Sequence, residues 1–135
     1  MKKLSLLLVI LTGLLVISCS KEKKSERFIF LTTPIWLSDT LLANGEDASG
    51  PGELLEKFKG DAKFKEDGTG YFGDYTGQWR FNPDETQITI VTDSMPLPIV
   101  SNIIMLTIDS LKITTIVTDK VTNIPVNIRM TFSVK

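Results

Sequence analysis

Short runs of alternating apolar and polar positions, linked by turn-forming pairs, fill residues 62–93, and the other segments are arranged around them. Ala62-Lys63-Phe64-Lys65-Glu66 alternates and runs into Asp67-Gly68, a pair that favours a tight hairpin turn because glycine takes positive φ without steric cost. A two-residue turn at that pair sets Phe64 opposite Tyr71 on one face of the hairpin. Gln78-Trp79-Arg80-Phe81-Asn82 follows Thr76-Gly77, with Trp79 and Phe81 on one face and Gln78, Arg80 and Asn82 on the other. Pro83-Asp84-Glu85-Thr86 has turn composition, since proline presets φ at the second turn position, and Gln87-Ile88-Thr89-Ile90-Val91-Thr92 runs back. This pattern predicts an antiparallel meander whose aromatic face must be covered by the rest of the chain.

Ahead of the meander, Phe28-Ile29-Phe30-Leu31 opens the folded part, and an apolar run of four fits helix and strand alike. Pro34 breaks it, and residues 35–42, with Trp36, predict a first long strand. Residues 44–52 are rich in turn formers and lack a bulky apolar side chain, so they predict an exposed loop, either functional or a plain connection. Residues 53–58 fit a short strand better than the alternative, one helical turn with Leu54, Leu55 and Phe58 on a side. Behind the meander, Pro96 and Pro98 make residues 94–98 a loop. Residues 99–108 form an almost unbroken apolar run, Asp109-Ser110 turns it, and residues 111–118 return. After a loop at 119–125, Val126, Ile128, Met130, Phe132 and Val134 alternate without exception with Asn127, Arg129, Thr131, Ser133 and Lys135. Arg80 and Arg129 therefore point to solvent. Pairing this last strand with the Trp36 strand would remove both edges of the sheet.

The first residues have a different character. Lys2 and Lys3 precede an apolar stretch over residues 4–17, which has the form of an export signal and is short for a bilayer span. Val16-Ile17-Ser18-Cys19 resembles the lipobox of bacterial lipoproteins. That resemblance implies a diacylglycerol on the Cys19 thiol, cleavage before Cys19, and acylation of the new amine. An ordinary secretory signal with a chance cysteine is the alternative. Cleavage would leave 13 positive and 16 negative side chains, because the signal holds two lysines and no acid. Residues 20–27 contain no apolar side chain and predict a solvated spacer. The expected division is therefore signal peptide 1–18, lipidated Cys19 and polar tether 19–33, and one β domain 34–135.

Composition narrows the chemistry. The formal net charge of −1 gives no electrostatic footprint for nucleic acid. No histidine occurs, which removes Ser-His-Asp and Cys-His catalysis and every His-containing metal site; Cys19, the only cysteine, can form no internal disulfide or zinc-binding thiolate cluster. Gly68-Thr69-Gly70-Tyr71-Phe72-Gly73 matches a dinucleotide-binding spacing, but a hairpin turn precedes it and no helix opens after it. Asp67, Asp74 and Asp84 lack the alternating spacing of a calcium loop and read as turn acids. No enzyme, cofactor or metal is expected.

The chain from about Thr33 onwards resembles the lipocalin-like domain of many small lipoproteins of Gram-negative bacteria. The marks are Trp36 in the early strand, Phe64-Lys65-Glu66-Asp67-Gly68-Thr69-Gly70, Gly77-Gln78-Trp79-Arg80-Phe81, and Leu106-Thr107-Ile108-Asp109-Ser110-Leu111-Lys112-Ile113. The resemblance implies an all-β, up-and-down antiparallel barrel of about eight strands, anchored at the outer membrane because Ser20 is not the aspartate that marks inner-membrane retention. Trp36, Phe64, Tyr71, Trp79, Phe81, Ile113, Met130 and Phe132 are candidates for the core or for the lining of a ligand pocket. A barrel this size either fills with its own side chains or holds one small ligand. Two functions follow: binding of a small apolar or amphipathic molecule inside the barrel, or an anchored module with a filled core that docks a protein or glycan partner.

Overall fold

Strand alternation, rather than helix formation, decides the architecture. The computed structural model describes residues 23–95 and 97–135. In chain order these form α1 (Glu26–Thr32), β1 (Trp36–Ala43), β2 (Glu46–Asp47), a 3-10 turn (Glu56–Phe58), β3 (Asp61–Phe64), β4 (Thr69–Phe72), β5 (Tyr75–Phe81), β6 (Gln87–Thr92), β7 (Ile99–Leu106), β8 (Ser110–Thr118) and β9 (Pro125–Val134). Neighbours follow the order β2-β1-β3-β4-β5-β6-β7-β8-β9, and β9 returns to β1. β1 and β3–β9 therefore make a closed eight-stranded up-and-down barrel, with β2 a short extra strand on the far end of β1. Closure runs from Trp36↔Val134 to Ala43↔Ile128, the pairing that the alternation of the last strand demands. A signal peptide at 1–18 and acylation of Cys19 lie outside the described residues.

The β3–β4 turn departs from the expected two-residue form. Phe64 pairs with Gly70, and it is Lys63 that faces Tyr71. The Gly68 N–H donates to the Lys65 carbonyl (3.1 Å) and the Lys65 N–H to the Thr69 carbonyl (2.9 Å), so the turn includes Lys65 and Glu66. Only Gly68 of this turn takes positive φ (+86°), which excludes the tight turn that needs two such residues. Asp67 instead caps the turn, its Oδ1 accepting from the Thr69 N–H (2.9 Å) and hydroxyl (2.7 Å). This one-residue shift sends Tyr71 to the outer face and buries Phe72.

The apolar quartet at 28–31 belongs to α1, because Ser25 caps it by accepting from the Phe28 N–H (3.0 Å). The helix touches both β3 and β7, on opposite sides of the ring, and so lies across the end of the barrel where β1 begins. Leu31 is fully buried there, Phe28 packs on Trp79 with ring centres 5.8 Å apart, and Lys63 donates to the Thr32 carbonyl (2.6 Å) at the helix end. The polar residues before α1 are also held. Lys24 pairs with Glu66 (2.6 Å), the Ser25 hydroxyl donates to Glu85 Oε2 (2.6 Å), and Arg27 Nε donates to the Glu85 carbonyl (3.0 Å). The expected tether over 19–33 is thus part of the folded body from Lys24 onwards, since turn residues of the barrel supply partners for its polar groups.

Residues 44–60 form a fitted flap rather than a free loop. Asn44 (φ +50°) and Gly45 (φ +84°) turn the chain into β2, and Leu55 N–H donates to the Ala48 carbonyl (2.9 Å). Ala48, Leu55 and Phe58 are buried, and Phe58 lies 4.7 Å from Tyr75 ring to ring. The strand expected over 53–58 is a 3-10 turn because Leu55 and Phe58, three residues apart, must face the same way.

Candidate functional site

Inward positions of the barrel are occupied by its own side chains. Trp36, Phe64, Trp79, Ile113, Met130 and Phe132 all point inward and are buried, as expected for core or pocket-lining residues. Phe81 is half-buried, edge-on to Trp79 at 5.3 Å. Tyr71 is the exception: half-buried on the outer face, it makes no polar contact with an interior site. Phe64 sits 5.1 Å from Phe72 and 5.6 Å from Trp79, within the range of packed aromatic pairs. Both indole N–H groups are spent on backbone, Trp36 Nε1 to the Leu31 carbonyl (3.0 Å) and Trp79 Nε1 to the Lys65 carbonyl (2.9 Å). With Leu31 of α1 closing one end, these contacts describe a packed core. Only Thr92 Oγ1 and Ser101 Oγ stand out: both are buried side-chain oxygens without a hydrogen-bond partner among the described residues.

The concave surface lies on the other side of the wall. The outward residues of β7, β8, β9 and β1 bound a groove of about 840 Å³. Its register is explicit. Leu42 faces Arg129, Arg129 faces Thr114, and Thr114 faces Asn102, giving one row across four strands. Two residues further along, Asn127 faces Ile116; the β7–β8 pairing ends at Asn102↔Thr114, and beyond it the Thr115 hydroxyl donates to the Val100 carbonyl (2.7 Å). Ile104 follows Asn102 at the point where the β7–β8 register shifts. Val100, Ile104 and Ile116 are 48%, 59% and 68% exposed, although each could pack into a core. Asn44 ties the rim, donating its N–H to the Asn127 carbonyl (2.8 Å) and accepting the Asn127 N–H on Oδ1 (2.9 Å). A smaller hollow of about 310 Å³ lies on the opposite wall, beside Asp67 and Arg80.

Sequence reasoning on inward positions missed this groove, yet a signal for it exists. An antiparallel strand with one wet face alternates. The run 99–108 does not alternate, and Ile116-Val117 breaks the alternation of β8. The outward faces of those strands therefore carry exposed apolar residues, Val100 and Ile104 on β7 and Ile116 on β8, among polar ones.

The acids of the turns serve the turns. Hydrogen bonds from Ser49 lower the carboxyl pKa of Asp47, those from Thr69 lower Asp67, and those from Thr86 lower Asp84; backbone N–H groups of Val121 and Thr122 do the same for Asp119. Among the described residues, no three His, Cys, Asp or Glu side chains come together to hold a metal. Gly68 and Gly73 sit at turns with positive φ (+86° and +59°) and Gly70 lies inside β4, so their spacing reflects hairpin geometry.

No protein-family model matches the sequence, and no curated protein matches it. Among solved structures, the chain is similar to a complex of bovine odorant binding protein with a selenium-containing odorant. The TM-score is 0.54 at 14% identity, over 87% of this chain and 78% of that one. At that identity the likeness is one of fold. The closed meander, its register and this structural likeness make the described chain a lipocalin-like β-barrel domain.

Proposed function

We propose that this chain is a lipid-anchored lipoprotein of a Gram-negative outer membrane whose barrel binds through its outer wall. The observation that carries the binding assignment is the contrast between a packed interior and an open groove of about 840 Å³ on the β7-β8-β9-β1 wall. Its lining mixes Leu42, Val100, Ile104 and Ile116 with Asn102, Thr114, Asn127 and Arg129, so it offers apolar contact and polar partners together. Anchoring rests on Lys2 and Lys3, the apolar stretch at 4–17 and Val16-Ile17-Ser18-Cys19. Lys24 is already bound to the barrel, so the five residues from Cys19 span at most roughly 18 Å. The α1 end would therefore face the bilayer, and the groove, which reaches the Asn44-Gly45 turn at the far end of β1, would face away from it.

A second reading, a small ligand within the barrel, is favoured by one observation. Thr92 Oγ1 and Ser101 Oγ are unpartnered interior hydroxyls that a ligand hydroxyl or a water could satisfy. Mass spectrometry of protein purified from its native membrane separates the two. A retained small molecule that is lost in Ile116→Arg supports the outer wall, and one retained in that variant but lost in Ser101→Val supports the interior. Anchoring has its own test. Cys19→Ala should leave full-length precursor without fatty-acid label, and a labelled product of normal size would refute acylation at Cys19.

A further inference from the structure

We infer that the outer groove takes the C-terminal tail of another protein, added as an extended strand to the open edge of β8 with its terminal carboxylate on the Arg129 guanidinium. This inference rests on the outer-wall reading above and names the occupant.

The register exposes the edge. The β7–β8 ladder ends at Asn102↔Thr114, so Thr115, Ile116, Val117 and Thr118 have no partner on β7. On its other side β8 stays paired with β9 as far as Thr118↔Pro125. Asn127, the β9 partner of Ile116, donates its N–H to Asn44 Oδ1 (2.9 Å) and accepts the Asn44 N–H on its carbonyl (2.8 Å), both towards β1. Asn127 and Ile116 therefore form a non-hydrogen-bonded pair, and Ile116 turns its own N–H and C=O away from β9, into the groove. Thr118, two residues on, does the same opposite Pro125, which has no N–H to offer.

β7 does not compete for these groups. In a continued ladder the Val100 carbonyl would accept the Ile116 N–H; instead it accepts the Thr115 hydroxyl (2.7 Å). Val100 stays paired with Thr89 of β6, which holds β7 on that side. Ile104 is an extra residue of β7 between Ile103↔Ile113 and Met105↔Lys112, and a bulge of this kind bends its strand. The open edge also lacks the usual protection, since residues 115–118 include no charge and no proline.

These features select the occupant. Main-chain donors and acceptors that repeat every second residue, roughly 7 Å apart, are met in register by another extended chain and by neither an alkyl chain nor a sugar. An added strand antiparallel to β8 runs the way β7 does, towards the Asn102–Thr114 pair, where β7 already fills the next place. Its C-terminus therefore falls at that pair. Arg129 lies in the same row on the other side of β8 and is, among the described residues, the only ionisable side chain lining the groove. Two strand spacings, about 10 Å, separate its backbone from that of the added strand, a gap that a guanidinium on its long stem can span. Arg129 makes no ion pair among the described residues, whose two salt bridges are Lys24–Glu66 and Lys135–Asp61. Asn102 Oδ1 already accepts from Gln87 Nε2 (2.9 Å), which leaves the Asn102 amide its donor side for a carboxylate. A strand running the other way would bring a cationic amine to Arg129 instead.

The test uses the full-length protein in phosphatidylcholine nanodiscs. The probe is a pool of fluorescent hexapeptides whose last four residues draw on Thr, Val, Ile and Phe and end in a free carboxylate. Anisotropy should show binding, and hydrogen exchange read by mass spectrometry should slow at residues 115–118. The C-terminal amide of the best binder should bind about tenfold more weakly, the loss of one charge-assisted contact. Arg129→Gln should weaken the free acid as much and leave the amide unchanged. N-methylation of the alternate peptide nitrogens that face β8 should abolish binding, a result that needs no protein variant to fold. Binding that survives N-methylation of either alternate set would overturn strand addition, and equal binding of acid and amide would overturn the carboxylate assignment; the outer-wall reading stands in both cases. Exchange protection over β3–β5 in place of residues 115–118 would overturn both readings. No binding by any pool member at about 1 mM would overturn the peptide assignment alone, since the retained-molecule test on Ile116→Arg addresses the wall independently.

Discussion

Replacing Trp79 by alanine tests whether the interior is solid. Trp79 is 6% exposed, and the rings of Phe81, Phe64 and Phe28 lie 5.3, 5.6 and 5.8 Å from it. Truncating a large aromatic in a packed core costs about 3–5 kcal/mol, mostly from the cavity that neighbours cannot close. The substitution also removes one of the two donors to the Lys65 carbonyl, which keeps the Gly68 N–H (3.1 Å), and one such hydrogen bond is worth about 0.5–1.5 kcal/mol. The two terms overlap, because measured truncations already include lost partners, so about 4–5 kcal/mol is expected in total. For a domain of this size, that loss lowers Tm by roughly 15–20 °C. Trp79→Phe keeps a ring and loses the N–H, so about 0.5–1.5 kcal/mol should go. Urea unfolding read by far-ultraviolet circular dichroism measures all three proteins, with Trp36 fluorescence as a second probe. A double-mutant cycle with Phe28→Ala should give a coupling of about 0.5–1.5 kcal/mol, because that ring pair fastens α1 to the barrel. A loss below about 1 kcal/mol for Trp79→Ala would refute the reasoning, because truncating a ring that borders open space costs little.

Two further outcomes follow from the same geometry. Met130 is 2% exposed, so Met130→Trp should overpack the barrel and cost about 1–3 kcal/mol; a variant as stable as the wild type would reveal spare interior room. Asp47, Asp67, Asp84 and Asp119 have folded-state pKa values below their unfolded ones, so their contribution is complete above the unfolded value, about 4, and is lost as pH falls through the folded values. The urea midpoint should therefore hold from pH 7 to about pH 5 and fall below about pH 4, less steeply in Asp67→Asn; an unchanged acid limb in that variant would show that its turn hydrogen bonds do not couple to folding.

Period-two alternation made the barrel readable before any coordinates. The β9 pattern is unbroken over ten residues, and closure onto Trp36 is the one arrangement that leaves neither terminal strand as an edge. What alternation could not give was anything set by a single residue of turn geometry. Phe64 and Tyr71 came out opposite one another because Asp67-Gly68 reads as a two-residue turn, whereas Asp67 prefers to bond the Thr69 hydroxyl and N–H, which lengthens the loop. The quartet at 28–31 is too short to show a period, and its helical state rests on the Ser25 cap and on the barrel end that α1 covers. Alternation places Trp36, Phe64, Trp79, Ile113, Met130 and Phe132 at inward positions, but it does not distinguish core from cavity, because both use the same inward residues.

Apolar side chains that are present without a folding reason carry a separate signal. Trp36, Phe64, Trp79 and Met130 gain stability by burial and need no ligand to explain them. Val100, Ile104 and Ile116 gain little, since about half or more of each remains exposed, and Thr or Lys at those positions would serve the strand as well. Isolated exposed hydrophobics are ordinary on any surface. These lie on neighbouring strands of one face, around a row that holds Arg129. Across the ring, the outward residues of β3–β5 are Lys63, Tyr71, Gln78 and Arg80, the polar wall that solvation alone would select. One wall is polar throughout and the other interleaves exposed apolar side chains with polar ones, and it is on those apolar residues that the proposed outer-wall binding rests.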